Sequence, residues 1–165
     1  MTSILRGIKL NRWILDPEET PWLKEGDLPS EVFKDLGTTN SCISVYEITD
    51  DISIQYTVAA LAATKDFASN YDYYFIDKNI LLSADLKLKP SLGETPDDTV
   101  NKRHFDIYEL SAASLLQLAE LLSSKGTKAR VPEKMVKSYL TDGINSRRID
   151  RSRVKDSLLQ KLGIR

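Results

Sequence analysis

The chain has 165 residues, 41% of them hydrophobic and 28% charged, and its formal net charge at pH 7 is -1. This length suits one domain with a small appendage, and the composition is that of a folded globular protein rather than a disordered one. The longest strictly apolar run, residues 58–63, is far shorter than the ~20 residues that span a bilayer, and the N-terminus lacks the apolar part of a secretory signal, so we expect a cytoplasmic protein without a membrane partner.

The first half of the chain predicts a small sheet. Residues 3–14 carry β-branched and apolar side chains and favour a first strand. The stretches near 41–49 and 71–77 have apolar side chains at both odd and even positions, which is typical of strands that are covered on both faces. Between them, residues 52–65 have helical spacing, so we predict a βαβ unit with parallel strands.

Carboxylates follow both of these predicted strands. Asp50 and Asp51 come after the first strand, and Asp77 ends the second. If the two strands are neighbours, the three side chains converge at one edge of the sheet, where they could hold Mg²⁺ for phosphodiester chemistry. The alternative is that these residues cap the helices that follow them.

The second half of the chain is predicted to be mainly helical. Apolar residues from Val100 to Leu122 recur on one stripe, which predicts a long helix from about 98 to 123. Two more helices are expected, from Pro132 to a stop at Gly143 and from about 150 to 162.

The predicted fold class is therefore α/β or α+β. It combines a small mixed sheet, containing one βαβ unit, with a C-terminal set of three helices. We divide the chain into an acidic body, residues 1–124, which includes the long helix at 98–123, and a basic helical C-terminal appendage, residues 125–165.

Little in the sequence favours catalysis. The chain has one cysteine, Cys42, and one histidine, His104, both interpreted as structural residues. A single cysteine excludes an intramolecular disulfide and a cysteine-based zinc site. No glycines are arranged as a P-loop or a dinucleotide fingerprint. No cofactor is expected, apart from the Mg²⁺ of the alternative hypothesis.

The charge is unevenly distributed along the chain. Residues 125–165 contain 12 Lys or Arg and 4 Asp or Glu, a net charge of +8, whereas residues 1–124 contain 11 and 20, a net charge of -9. Such asymmetry is typical of a segment that binds a polyanion or a protein partner. The basic residues predicted to contact a partner are Arg147, Arg148, Arg151, Arg153 and Lys155.

Two functional hypotheses follow. The preferred one is a non-catalytic protein-interaction module, such as an accessory or regulatory subunit or an antitoxin- or immunity-type inhibitor. The alternative is a nucleic-acid-directed protein that grips phosphates with its C-terminal segment, acting as a Mg²⁺-dependent nuclease through Asp50, Asp51 and Asp77. A third reading of the basic segment is that it lies on the acidic body of its own chain.

Overall fold

The computed structural model describes residues 2–164. Met1, which begins the predicted acidic body, and Arg165, which ends the predicted basic appendage, lie outside the described residues. Over this range the chain is a mixed α+β fold with one sheet of six strands, in which every neighbouring pair is antiparallel. The predicted fold class is confirmed. The strands are β1 (Ser3–Ile8), β2 (Ile43–Ile48), β3 (Tyr71–Asp77), β4 (Lys87–Pro90), β5 (His104–Tyr108) and β6 (Thr127–Val131), and their order in the sheet is β4-β5-β2-β1-β3-β6.

Helices cover both faces of this sheet. Helices α1 and α5 pack against each other over one face, above Leu5 and Tyr73. The other face, which includes Tyr74 and Ile76, is covered by α4 and by the 3-10 helix Ser30–Lys34. The α-helices are α1 (Asp51–Ala62), α2 (Lys78–Ser83), α3 (Asp98–Asn101), α4 (Ala112–Lys125), α5 (Glu133–Asn145) and α6 (Asp156–Lys161), and the 3-10 helices are Leu10–Arg12, Ser30–Lys34 and Arg151–Arg153.

The predicted βαβ unit is present in a split form. Strands β2 and β3 are parallel to each other, but β1 lies between them and pairs antiparallel with both, so that Ser3 stands opposite Ile48 and Asp77. Helix α1 makes the crossover. Strand β3 has apolar residues on both of its faces because each face packs against a different hydrophobic core. Tyr73 belongs to the core beneath α1 and α5, and Tyr74 belongs to the core on the opposite face of the sheet.

The predicted single helix from 98 to 123 is wrong. That stretch contains α3, strand β5 and the start of α4. Residues 104–108 are extended because they pair with β2 on one side and β4 on the other, and tertiary pairing overrides local helical spacing. Phe105 and Ile107 then face the α4 core, while His104 faces the opposite side beside its cross-strand partner Tyr46.

The C-terminal segment shares its core with the rest of the chain. The helices α4, α5 and α6 follow one another as expected, but β6 lies between the first two and pairs with β3 as an edge strand. The apolar side chains of α5 and α6, including Leu140 and Leu158, belong to the same buried cluster as α1 and β3.

Two details of the predicted C-terminal helices are corrected. Helix α5 does not stop at Gly143 but continues to Asn145. The last predicted helix is divided into the 3-10 helix Arg151–Arg153 and α6, because Val154 between them is extended and buries its side chain in the core.

Candidate functional site: the basic C-terminal segment

The basic segment folds onto acidic residues of its own chain. Three of the five basic residues predicted to contact a partner form ion pairs with carboxylates that lie far away in the sequence. The main chain contributes as well, since the amide of Asp150 donates to the carbonyl of Pro96 over 2.8 Å. The ion pairs are Arg148 with Asp97, Arg153 with Asp98 and Lys155 with Asp66.

The pair between Arg148 and Asp97 is the buried one. The Asp97 side chain has no exposed surface, and besides accepting from Arg148 Nη1 it accepts from the amides of Thr99 and Val100, which it caps at the start of α3. The Arg148 guanidinium also stacks on the ring of Tyr56, 3.8 Å from its centroid. A guanidinium held by a buried carboxylate and an aromatic face is a structural element, so Arg148 is not free to bind a partner.

The other two pairs lie at the surface. Arg153 Nη1 is 2.9 Å from a carboxylate oxygen of Asp98, whose side chain is 84% exposed. Lys155 Nζ is 3.0 Å from Asp66, and this hydrogen bond lowers the pKa of the Asp66 carboxyl below its ordinary value. Exposed pairs of this kind contribute little stability individually, but they neutralise the two basic side chains locally.

Arg147 and Arg151 remain without such partners. Both are exposed, and neither forms an ion pair with any residue from 2 to 164. Arg147 follows the end of α5 with a φ of 59°, a left-handed conformation that costs a non-glycine residue roughly 1–2 kcal/mol. The chain thus carries a long cationic side chain at a position where glycine is favoured.

These two arginines line one groove, which we call the arginine groove. Its volume is about 530 Å³, and apolar side chains from α5, from the turn after α5 and from the end of the chain form part of its wall. Its acidic member, Asp150, accepts hydrogen bonds from both the amide and the hydroxyl of Ser152. The remaining lining residues are Ile144, Asn145, Ile149 and Ile164.

The sequence did not identify the apolar residues of this groove. Ile149 stands alone among polar and charged residues, so no periodic pattern marks it, and Ile164 follows Leu162 and Gly163 beyond the last predicted helix. An isolated apolar residue in a basic segment is weak evidence, because single apolar residues are common at protein surfaces.

Two of the three carboxylates of the alternative hypothesis, Asp50 and Asp77, act as helix caps. Asp50 follows β2 and Asp77 ends β3, but the two strands are not the neighbours that the metal-site hypothesis required, because β1 lies between them. Asp50 accepts from the amide of Ser53 at the start of α1, which lowers its pKa, and Asp77 accepts from the amide of Asn79 at the start of α2. Asp51 is an exposed residue in the first turn of α1. In the part of the chain that the structure describes, no group of three or more His, Cys, Asp or Glu is placed to hold a metal ion.

The single histidine and the single cysteine lie outside the arginine groove. His104 is buried, with its Nδ1 2.7 Å from the Ser91 hydroxyl and its ring edge-to-face with Tyr46. Burial lowers the pKa of His104, which favours the neutral ring. Cys42 is partly exposed, and its thiol lies 3.4 Å from the carbonyl of Asn40.

Comparison of the chain with protein-family models, with curated proteins and with solved structures finds no match. Among residues 2–164, the helices lack the combined length and apolar character that crossing a membrane requires.

Proposed function

We propose that this chain is a non-catalytic, cytoplasmic protein-interaction module that binds an acidic segment of a partner protein in the arginine groove. The observation that supports this most directly is the contrast within the basic segment. Arg148, Arg153 and Lys155 are neutralised by carboxylates of the same chain, whereas Arg147 and Arg151 line a groove together without an ion-pair partner among residues 2–164. Such a module would serve as an accessory or regulatory subunit, or as an inhibitor of the antitoxin or immunity type.

The chemistry of the groove suits an acidic peptide with apolar side chains. Arginine binds carboxylates in a bidentate manner and is enriched at protein interfaces. Of the three isoleucines that line the groove, Ile164 is partly exposed and offers apolar surface that an aliphatic side chain of the partner can cover, whereas Ile144 and Ile149 are buried. A segment with both acidic and aliphatic residues therefore satisfies both parts of the groove.

The small number of cations in the arginine groove favours a protein over a nucleic acid as its occupant. A protein that binds duplex DNA through about 6–10 phosphate contacts needs a comparable number of available cations. Two of the five predicted basic residues are available in the arginine groove, which would give only a shallow dependence of affinity on salt. Binding of nucleic acid is thus an outcome of the test rather than our proposal.

The test compares a labelled peptide of alternating Glu and Leu with a DNA duplex by fluorescence anisotropy. We expect the peptide to bind and the double variant Arg147→Gln/Arg151→Gln to lose about tenfold or more in affinity, because a charge-assisted hydrogen bond is worth about 1.5–3 kcal/mol and about 1.4 kcal/mol is tenfold. The matched control is Lys102→Gln/Lys125→Gln, which removes the same charge from two exposed lysines that do not line the groove. Equal binding by the two variants, or tighter binding of the duplex than of the peptide, would contradict the proposal.

A further inference from the structure

A second concave site lies beside the start of β3 and the end of β1. This cleft, which we call the lysine cleft, has a volume of about 520 Å³, within the range of about 300–1,000 Å³ that is usual for small-molecule sites. Its wall comes from the end of β1, the end of the 3-10 helix Ser30–Lys34, and residues 62–72. It shares no lining residue with the arginine groove.

The acidic residues of the lysine cleft are already engaged. Each of its three carboxylates has a cationic partner that does not itself line the cleft. Two of them also accept from the main chain, Asp35 from the amide of Lys9 and Asp72 from that of Leu10. The pairs are Arg12 with Asp35 at 2.6 Å, Lys155 with Asp66 at 3.0 Å and Arg130 with Asp72 at 2.6 Å.

The lysines of the cleft are therefore not cancelled by its carboxylates. Lys34 pairs with Glu31, but Lys9 and Lys65 have no ion-pair partner among residues 2–164. Since every acidic group on the wall is neutralised from outside, the cleft has a net positive charge of about two. A concave surface lined with one sign of charge attracts small ions of the opposite sign.

Aromatic side chains complete the lysine cleft. Phe67 is 56% exposed, and the Lys161 ammonium lies 5.0 Å from its ring centroid. Tyr71 lies over Gly7, where a Cβ atom would overlap the tyrosine hydroxyl, so the glycine leaves the space that the ring needs. An exposed ring beside unpaired lysines offers stacking and charge in the same site.

We propose that the lysine cleft binds an organic phosphate that carries a planar ring, of the size of a nucleoside monophosphate. Lys9 and Lys65 contact the phosphate, and Phe67 stacks on the ring. The site is independent of the arginine groove and requires no catalytic step.

The experiment is a titration of the full-length chain with AMP, GMP, CMP and UMP, followed by ¹H–¹⁵N NMR. Inorganic phosphate, which has no ring, and adenosine, which has no phosphate, serve as comparison ligands. We expect at least one monophosphate to shift the amides of Gly7, Lys9, Lys65 and Phe67 at lower concentration than either comparison ligand. Lys9→Gln/Lys65→Gln should weaken binding by about tenfold or more, and Phe67→Leu should weaken monophosphate binding without changing that of phosphate.

Lys102→Gln/Lys125→Gln is again the matched control, because it lowers the net charge equally at positions that do not line the lysine cleft. The thermal unfolding curve of each variant verifies that it is folded. The proposal is overturned if no monophosphate shifts these amides, or if the shifts persist in Lys9→Gln/Lys65→Gln. It is also overturned if phosphate alone binds as tightly as every monophosphate.

Discussion

Arg148 donates to the buried carboxylate of Asp97 across 51 positions of sequence, and this ion pair joins the basic C-terminal segment to the acidic body. Asp97 also caps α3, so this one carboxylate both accepts from the first amides of α3 and pairs with the arginine of the turn that follows α5. The segment that carries most of the chain's excess positive charge is therefore part of the folded body.

Arg148→Met should be strongly destabilising. The substitution keeps an unbranched apolar stem over Tyr56 but leaves Asp97 buried without its cation, which costs about 3–5 kcal/mol. Urea unfolding followed by circular dichroism measures this loss. Arg153→Met is the control, because its partner Asp98 is exposed and such pairs are worth about 0–1 kcal/mol. Similar losses in the two variants would contradict the structural role of Arg148.

Truncation after Gly143 should unfold the chain rather than release a free tail. The removed residues include five buried apolar side chains, each worth about 1.5–3 kcal/mol, and their sum is comparable with the whole stability of a domain, about 5–15 kcal/mol. Loss of the cooperative thermal transition, with increased dye binding to exposed apolar surface, is the expected result. A truncated chain with an unchanged transition would show that the segment does not contribute to the core. The five residues are Ile144, Ile149, Val154, Leu158 and Leu159.

Gly143→Ala should destabilise the chain although alanine is the better helix former by about 1 kcal/mol. A Cβ atom at Gly143 would lie 2.6 Å from Ile149 Cδ1 and 2.8 Å from Arg148 Nη2, so the buried Ile149 side chain and the Arg148 guanidinium that pairs with Asp97 must shift. Overpacking of this kind costs about 1–3 kcal/mol in thermal or chemical unfolding. Gly37→Ala is the matched control, since the nearest atom there is 3.9 Å away, and we expect a change of about 0.5 kcal/mol or less. Equal effects at the two glycines would argue against close packing at Gly143.

His104 should make the stability depend on pH in the mildly acidic range. Burial lowers the pKa of His104 below its ordinary value of 6.5, so the unfolded chain binds its proton at higher pH than the folded chain does. Stability should therefore decrease as the pH falls from 6.5 through the lower folded-state pKa. Unfolding free energies measured across this range should vary less in His104→Gln. An identical pH dependence in both proteins would show that another group is responsible.

The sequence predicts the centre of this fold better than its edges. Strands β2 and β3 were found because both of their faces are apolar, and α1 because its apolar residues have helical spacing. Strand β5 was missed because His104 and Tyr108 fit a helical stripe that continues into α4, and only pairing with β2 and β4 makes these residues extended. The edge strand β6 alternates charged residues with small or apolar ones, but with only five residues and two apolar side chains the pattern is too short to identify a strand.

The candidate site could be predicted only in part, because its ion pairs join residues that are far apart in the sequence. The basic cluster is visible in the sequence, but its carboxylate partners are 51, 55 and 89 positions away, and no local pattern connects them. The sequence is compatible with Asp50 and Asp77 as metal ligands or as helix caps, and the hydrogen bonds that they accept from the amides of Ser53 and Asn79 show the capping role. The distinction between Arg148 and its neighbour Arg147 required the folded positions of both side chains.

The most direct test of the arginine groove is photo-crosslinking in the cells that express the chain, with p-benzoylphenylalanine in place of Asn145, an exposed residue of the groove. We predict a covalent adduct with one protein, mapped by mass spectrometry to a segment rich in Asp and Glu. This adduct should disappear in Arg147→Gln/Arg151→Gln and persist in Lys102→Gln/Lys125→Gln. The absence of a protein adduct that depends on the two arginines, or adducts with nucleic acid alone, would contradict the proposed function.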